Sequence, residues 1–243
     1  MDLTGRTAVV TGGGVRVGRA ICLALARAGA NVYVHYNAST ERAVATRDEI
    51  LAEGGTAAIG SADLSDPHSG IMLIADAQAA LGPVSILINS ASGFPTDSIA
   101  TFTLESLRQA MSVGLESPVI LTKAMAEALP PDLDGVVVNI TDARTTMPYK
   151  EHLSYTLVKG GLDTFTRVAA LDLAPTIRVN AVALGVILPP ASESDSYAAE
   201  LAEKLPLQRV GGAGVVADTV VFLCTNDFIT GEIIRVDGGG HLT

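Results

Sequence analysis

The sequence predicts a single α/β domain spanning residues 1–243, a doubly wound sheet of seven parallel strands with helices on both faces. Short β-branched runs alternate with longer helical patterns from end to end, which is the order of a parallel sheet with crossover helices. The runs are apolar on both faces, as strands buried between two helix layers must be. Composition agrees: hydrophobic residues make up 48% of the chain and charged residues 17%, against a usual charged share of about 25%. A chain of this length buries about three quarters of its unfolded surface without staples.

Each element can be justified in turn. Thr7–Thr11 reads as a strand before helix Val17–Gly29, Asn31–Tyr36 as a strand before helix Thr40–Glu53, and Thr56–Gly60 as a strand before helix Asp66–Leu81. Strand Val84–Asn89 precedes helix Thr103–Leu129, and strand Gly135–Ile140 precedes helix His152–Ala174. Strand Ile177–Val182, helix Gly214–Thr225 and strand Glu232–Val236 complete the pattern. The helices carry apolar residues at the three- and four-residue spacing of a face packed on a sheet. No linker, repeat or composition shift divides the chain. The irregular piece is Leu188–Leu207, with Pro189-Pro190 and the polar run Ser192–Ser196. A segment near strand C-termini in an open sheet is a candidate substrate lid, or else a surface excursion.

Charge excludes several partners. Asp plus Glu number 26 against 16 Lys plus Arg, a net charge of −10, which argues against nucleic acid. No basic amphipathic stretch and no long apolar run points to a membrane. Cys22 and Cys224 lie inside apolar helical patterns and read as small core hydrophobes, with no metal site expected. Met1–Gly5 runs straight into a strand without a leader pattern, so the expected location is the cytoplasm.

The first strand ends in Thr11-Gly12-Gly13-Gly14-Val15-Arg16-Val17-Gly18 and opens directly into a helix. Glycine there lets backbone approach a pyrophosphate, which meets the positive helix N-terminus. Arg16 adds a permanent cation beside that site in an anionic protein, or is a solvated arginine at a helix start. An acidic residue after the second strand holds the ribose diol of NAD. This chain has His35-Tyr36-Asn37-Ala38-Ser39-Thr40, with no Asp or Glu between Ala30 and Glu41. Asn37, Ser39 and Thr40 can donate to a 2′-phosphate, which favours NADP(H) as cofactor.

Tyr155 and Lys159, four apart at the start of a long helix, share one face. A nearby ammonium favours a phenolate and lowers a tyrosine pKa, suiting a general acid for a carbonyl or imine being reduced. Their company is specific: Asn89-Ser90-Ala91-Ser92 ends the fourth strand, Asp142 follows the fifth, and Val236-Asp237-Gly238-Gly239 follows the last.

With these motifs in this order, the chain resembles the short-chain dehydrogenase/reductase family from Thr7 to Leu242. The resemblance implies a Rossmann-like fold, usually a homotetramer, acting on a small-molecule substrate. It further implies that Gly12, Gly14, Arg16, Val17, Gly18, Tyr36, Asn37, Ser39 and Ala91 line the cofactor. Asp63-Leu64 would contact the adenine and Asn89 would steady the central sheet. Tyr155 would donate the proton, Lys159 would bind the nicotinamide ribose and lower the tyrosine pKa, and Gly185-Val186-Ile187 would offer backbone groups to the carboxamide.

Three departures narrow this reading. Where the family has a catalytic serine, thirteen residues before the tyrosine, this chain has Asp142. An ionised carboxylate only accepts hydrogen bonds, so Asp142 suits a substrate with N–H groups or, when protonated, passes a proton to a ring nitrogen; capping the next turn is the alternative. With Arg16, this resembles the pteridine reductase branch, where Phe94 matches the aromatic that stacks on a pterin and Ser92 a polar contact to it. Phe94 otherwise reads as a core or rim aromatic. Gly114 replaces the asparagine that holds a helix kink in the family's proton relay. Glycine permits a kink without anchoring it. Leu184 replaces the usual proline before Gly185.

The leading expectation is an NADPH-dependent reductase of pteridine-type heterocycles, with Asp142, Tyr155 and Lys159 catalytic and Arg16, Ser92, Phe94, Asp142 and Tyr155 facing substrate. The alternatives are a ketone reductase of 3-oxoacyl-thioester type and a catalytically weak NADP-binding sensor.

Overall fold

The computed structural model describes residues 1–189 and 195–243. Strands β1 (Thr7–Val10), β2 (Asn31–Tyr36), β3 (Thr56–Ser61), β4 (Val84–Asn89), β5 (Gly135–Asp142), β6 (Ile177–Leu184) and β7 (Ile233–Val236) form one sheet in the order β3-β2-β1-β4-β5-β6-β7. Every pairing is parallel. The order reverses between β1 and β4, where Val10 lies beside Ile88, and the crevice for a ligand opens beyond the strand ends at such a reversal.

Helices α1 (Arg16–Arg27), α2 (Thr40–Ala52), α3 (Pro67–Leu81), α4 (Leu104–Met111), α5 (Ser117–Ala128), α6 (Leu153–Leu173), α7 (Asp195–Ala202) and α8 (Ala213–Thr225) connect and cover the strands. Successive strand residues face opposite sides, so the core is double. On one side Val10 joins Ile21, Cys22, Leu25, Val220 and Cys224; on the other Val9 joins Leu73, Ile74, Leu121 and Met125. Both cysteines are free and fully buried, and burial pushes their thiols up, that of Cys224 to about 12.

The structure corrects several boundaries. The expected long helix over 103–129 is two helices joined by a π turn, Ser112–Glu116, with Gly114 inside it. A Cβ at Gly114 would lie 2.4 Å from Val158 Cγ1 of α6, so the glycine lets the helices approach at the kink. The helix expected from His152 begins at Leu153, because His152 is a left-handed N-cap with φ 104°. β5 runs on through Asp142 and β6 through Leu184, whose backbones pair with each other. The 188–207 segment contains the short helix α7, while 190–194 lie outside the described residues. Among the described residues, no helix is long and apolar enough to cross a membrane.

Candidate active site

The glycine turn lies at the strand-order reversal. Gly12, at φ 66°, approaches Ala91 so closely that a Cβ would sit 3.2 Å from Ala91 Cα, and a Cβ on Gly18 would lie 2.2 Å from Gly12 O. Thr11 Oγ1 accepts from the N–H groups of Ser90 and Ala91, fixing the β4 exit against this turn. Val15 makes no side-chain cap, so the first-turn N–H groups of α1, from Arg16, Val17 and Gly18, face the crevice as donors for an anion. Gly14 packs on α2, where its Cβ would lie 3.1 Å from Ala43 N.

Arg16 occupies the left-handed region at φ 51°, which disfavours any residue with a Cβ. Its guanidinium donates to Pro189 O at 2.6 Å, tying the glycine turn to the segment after β6. Arg16 itself is exposed, so it makes this contact at the solvent edge of the turn. At the β2 exit Tyr36 is half-buried, while Asn37 and Ser39 are exposed. Asp63 accepts from Ser65 N–H and Oγ–H, which hold its carboxyl below the usual range, and Leu64 is buried in the core, leaving Asp63 the exposed member of that pair.

The catalytic candidates converge at the ends of β4 and β5 and the start of α6. Asp142 Oδ1 accepts from Arg144 N–H at 2.7 Å, capping the next turn, and Oδ2 accepts from Tyr155 at 2.9 Å and Tyr149 at 3.3 Å. The cap and the catalytic alternatives therefore use different oxygens. Burial raises the Asp142 pKa despite these donors and nearby Lys159. Lys159 is buried and donates to Ile140 O at 2.8 Å; burial lowers its pKa to about 8 against the pull of Asp142 and Asp163. The expected lowering of the tyrosine pKa is not found. The Lys159 ammonium stands 5.6 Å from the Tyr155 ring centroid, and burial together with Asp142 raises the Tyr155 pKa. The phenol keeps its proton and donates it in a hydrogen bond to the Asp142 carboxylate.

Aromatic rings wall this cluster. Phe94 meets Tyr155 edge-on at 4.7 Å and Tyr149 at 5.9 Å, while His152 stacks on it at 3.9 Å. One face of Phe94 is thus covered by the imidazole. Ser92 is exposed and its hydroxyl donates to Gly93 O. Gly185 packs against β7, where a Cβ would lie 2.5 Å from Asp237 Cα. Gly185 N–H donates to Val236 O at 3.0 Å, and the carbonyls of Val186 and Ile187 accept from Gly211 and Gly212 N–H, so the N–H groups this loop can offer a ligand are those of Val186 and Ile187.

Sequence reasoning missed the frame behind these groups. Asn89 Nδ2 donates to Asn139 Oδ1 at 2.8 Å and Asn139 Nδ2 to Thr166 Oγ1 at 2.9 Å, a buried ladder from β4 through β5 to α6. His35 Nδ1 accepts from Gly12 N–H at 3.1 Å, so its proton is on Nε2, which donates to Ala62 O. Burial lowers the His35 pKa. Buried Asp97 accepts from Ser154 N–H and Oγ–H, and His152 N–H donates to Asp97 O, pinning the Phe94 segment to α6. Nothing in the spacing of Asp97 or Tyr149 flags them, because their partners are distant in sequence or on an irregular loop.

Fold and site together define an oxidoreductase class, and the chain belongs to the short-chain dehydrogenase/reductase family. A family model described as enoyl-(acyl carrier protein) reductase matches residues 14–241. The FolM alternative dihydrofolate reductase 1 of Brucella canis, solved with NADP, superposes with a TM-score of 0.95 at 38% identity, covering 100% of this chain and 96% of that one. An uncharacterised oxidoreductase of Mycobacterium tuberculosis is 34% identical over 98% of this chain and 92% of its own length. A 3-oxoacyl-[acyl-carrier-protein] reductase of Synechocystis is 32% identical over 98% and 97%.

Proposed function

We propose that this protein is an NADPH-dependent reductase of a pteridine-type heterocycle, dihydropterin- or dihydrofolate-like. The observation that carries the reading is the Asp142 carboxylate on Tyr155, beside the Phe94 ring, where the family has a serine hydroxyl. A carboxylate accepts from the N–H groups of such a ring, and an aromatic edge and face select a flat one. Similarity to the FolM reductase of Brucella canis supports it.

The residues present fit NADP(H). The α1 N-terminus and the close-packed Gly12, Gly14 and Gly18 would hold the pyrophosphate, and Arg16 adds a cation there. Tyr36, Asn37 and Ser39 would hold the adenosine ribose and its 2′-phosphate, Asp63 the adenine, and Ala91, Lys159, Gly185, Val186 and Ile187 the nicotinamide side. The bound cofactor supplies a hydride. Tyr155 gives the proton to the reduced ring, Lys159 orients the ribose, and Asn89 and its ladder keep the strand ends in place. Arg16, Ser92, Phe94 and Asp142 contact the heterocycle, and residues 188–207, held by Arg16 at Pro189, act as the lid.

The protein is further expected to work as a cytoplasmic homotetramer. Leu157, Val168 and Leu171 leave an apolar stripe exposed on α6, Leu171 at 85%, the kind of surface subunit contacts cover. Sedimentation showing a monomer would remove that part of the reading.

The second reading, a 3-oxoacyl-thioester reductase, is supported by the Synechocystis relative and by the capping role of Asp142 Oδ1. NADPH oxidation with dihydropterins and with ketones separates the two. Asp142→Ser restores a hydroxyl donor and is expected to shift the preference at least tenfold toward ketones; unchanged relative rates, or wild-type activity on ketones alone, would overturn the heterocycle reading.

A further inference from the structure

One carboxylate oxygen serves two phenols. Asp142 Oδ2 accepts from Tyr155 at 2.9 Å and from Tyr149 at 3.3 Å; both phenols are half-buried, and both rings meet the Phe94 ring edge-on, Tyr155 more closely. The charged and titratable groups facing this pair are Arg144 from the loop after β5, His152 at the N-cap of α6, whose ring centroid lies 5.5 Å from that of Tyr149, Tyr155 and Lys159 from α6, and Tyr197 from α7. The Arg144 guanidinium lies 4.6 Å above the Tyr149 ring and fixes its orientation. On the opposite side of Tyr155, Lys159 is hydrogen-bonded to Ile140 O, and Val158 fills the space an asparagine side chain at position 114 would enter.

We propose that Tyr149 returns protons from solvent to Tyr155 through the Asp142 carboxylate, which makes it a positioning residue for the acid. The inference rests on the assignment of Tyr155 as proton donor and not on the identity of the substrate. In each turnover the Tyr155 O–H bond breaks as a new N–H or O–H bond forms on the substrate. Asp142 Oδ2 then takes the Tyr149 proton and passes one to the Tyr155 oxygen, and solvent reprotonates Tyr149. One solvent proton is consumed, and no oxidant or reductant beyond the hydride donor is required.

Tyr149→Phe keeps the ring against Phe94 and Arg144 and removes only the hydroxyl. Pre-steady-state NADPH oxidation is followed with whichever panel, dihydropterin or ketone, the wild type reduces. The first turnover is expected at the wild-type rate, as a burst of one NADPH per site, followed by steady-state turnover slowed roughly tenfold or more. Substrate KM and NADPH Kd stay within about twofold, and added imidazole restores the steady state. A steady-state rate within twofold of wild type, or a first turnover slowed in the same proportion, overturns the relay. In the wild type, a proton inventory of the steady-state rate bows with more than one proton in flight; a linear inventory also overturns it. Tyr155→Phe keeping its first-turnover rate would instead show that the proton-donor assignment is wrong.

Discussion

Gly114 offers the sharpest quantitative test of how this site is assembled. Its Cβ position lies 2.4 Å from Val158 Cγ1, against a carbon–carbon optimum of about 3.5–4.0 Å. Val158 is 2% exposed on α6, and a β-branched side chain in a helix has one strongly preferred rotamer, so it cannot turn aside cheaply. Gly114→Ala therefore forces α6 away from the π turn or Val158 off its rotamer, an overpacking of about 1–3 kcal/mol. The gain in helix propensity from alanine, about 1 kcal/mol, offsets part of this. The net expectation is a loss of about 0–2 kcal/mol, at about 2–4 °C in Tm for each kcal/mol in a chain of this size. Val158→Ala alone should cost about 2 kcal/mol through two lost methyls and the space they leave. With that space open, the sign reverses: adding Gly114→Ala to Val158→Ala should be neutral or stabilise by about 1 kcal/mol. Urea unfolding of the four proteins gives the coupling directly. If Gly114→Ala costs the same in both backgrounds, steric exclusion by Val158 is not why position 114 lacks a side chain.

Three further outcomes follow from the geometry. Arg16→Gly relieves the left-handed backbone strain of about 1 kcal/mol while removing the guanidinium, so stability should hold or rise while NADPH affinity falls about tenfold; equal affinity losses for Arg16→Gly and for exposed Arg167→Ala in equilibrium titrations would contradict the role given to Arg16. His35→Phe strands the Gly12 N–H and should cost about 1–3 kcal/mol at pH 7.5. Burial depresses the folded-state pKa of His35, so the unfolded chain binds more protons and the wild type loses this stability as pH falls below about 6.5 toward the folded value. The gap between wild type and His35→Phe in urea should therefore narrow from pH 7.5 to pH 5.5, and a constant gap would show that His35 does not titrate with unfolding.

Much of the fold was legible because parallel strands buried on both sides must be apolar throughout. Asn31–Tyr36 and Val84–Asn89 match their expected limits residue for residue. The limits that moved have tertiary causes. Thr103–Leu129 reads as one helix because the apolar spacing continues across Gly114, and only its contact with Val158 reveals the π turn. His152 looks like a helical residue, yet its hydrogen bonds to Pro95 and Asp97 hold it at φ 104°. The spacing of Tyr155 and Lys159 was readable, but the partner of each side chain was not. Spacing suggested that the lysine acts on the tyrosine, whereas folding gives the lysine to Ile140 O and the tyrosine to Asp142.

The sequence by itself determined the fold class, the family, the glycine turn and the spacing that singles out Asp142, Tyr155 and Lys159 as candidates, because all of these depend on local pattern and on residue chemistry at fixed spacing. Only the tertiary structure decided which oxygen of Asp142 faces which phenol, that Tyr149 shares it, that Arg16 reaches Pro189 and that His35 holds Gly12. Those contacts join segments brought together by strand order and helix packing, and their direction depends on angles and distances of a few tenths of an ångström that no residue spacing encodes.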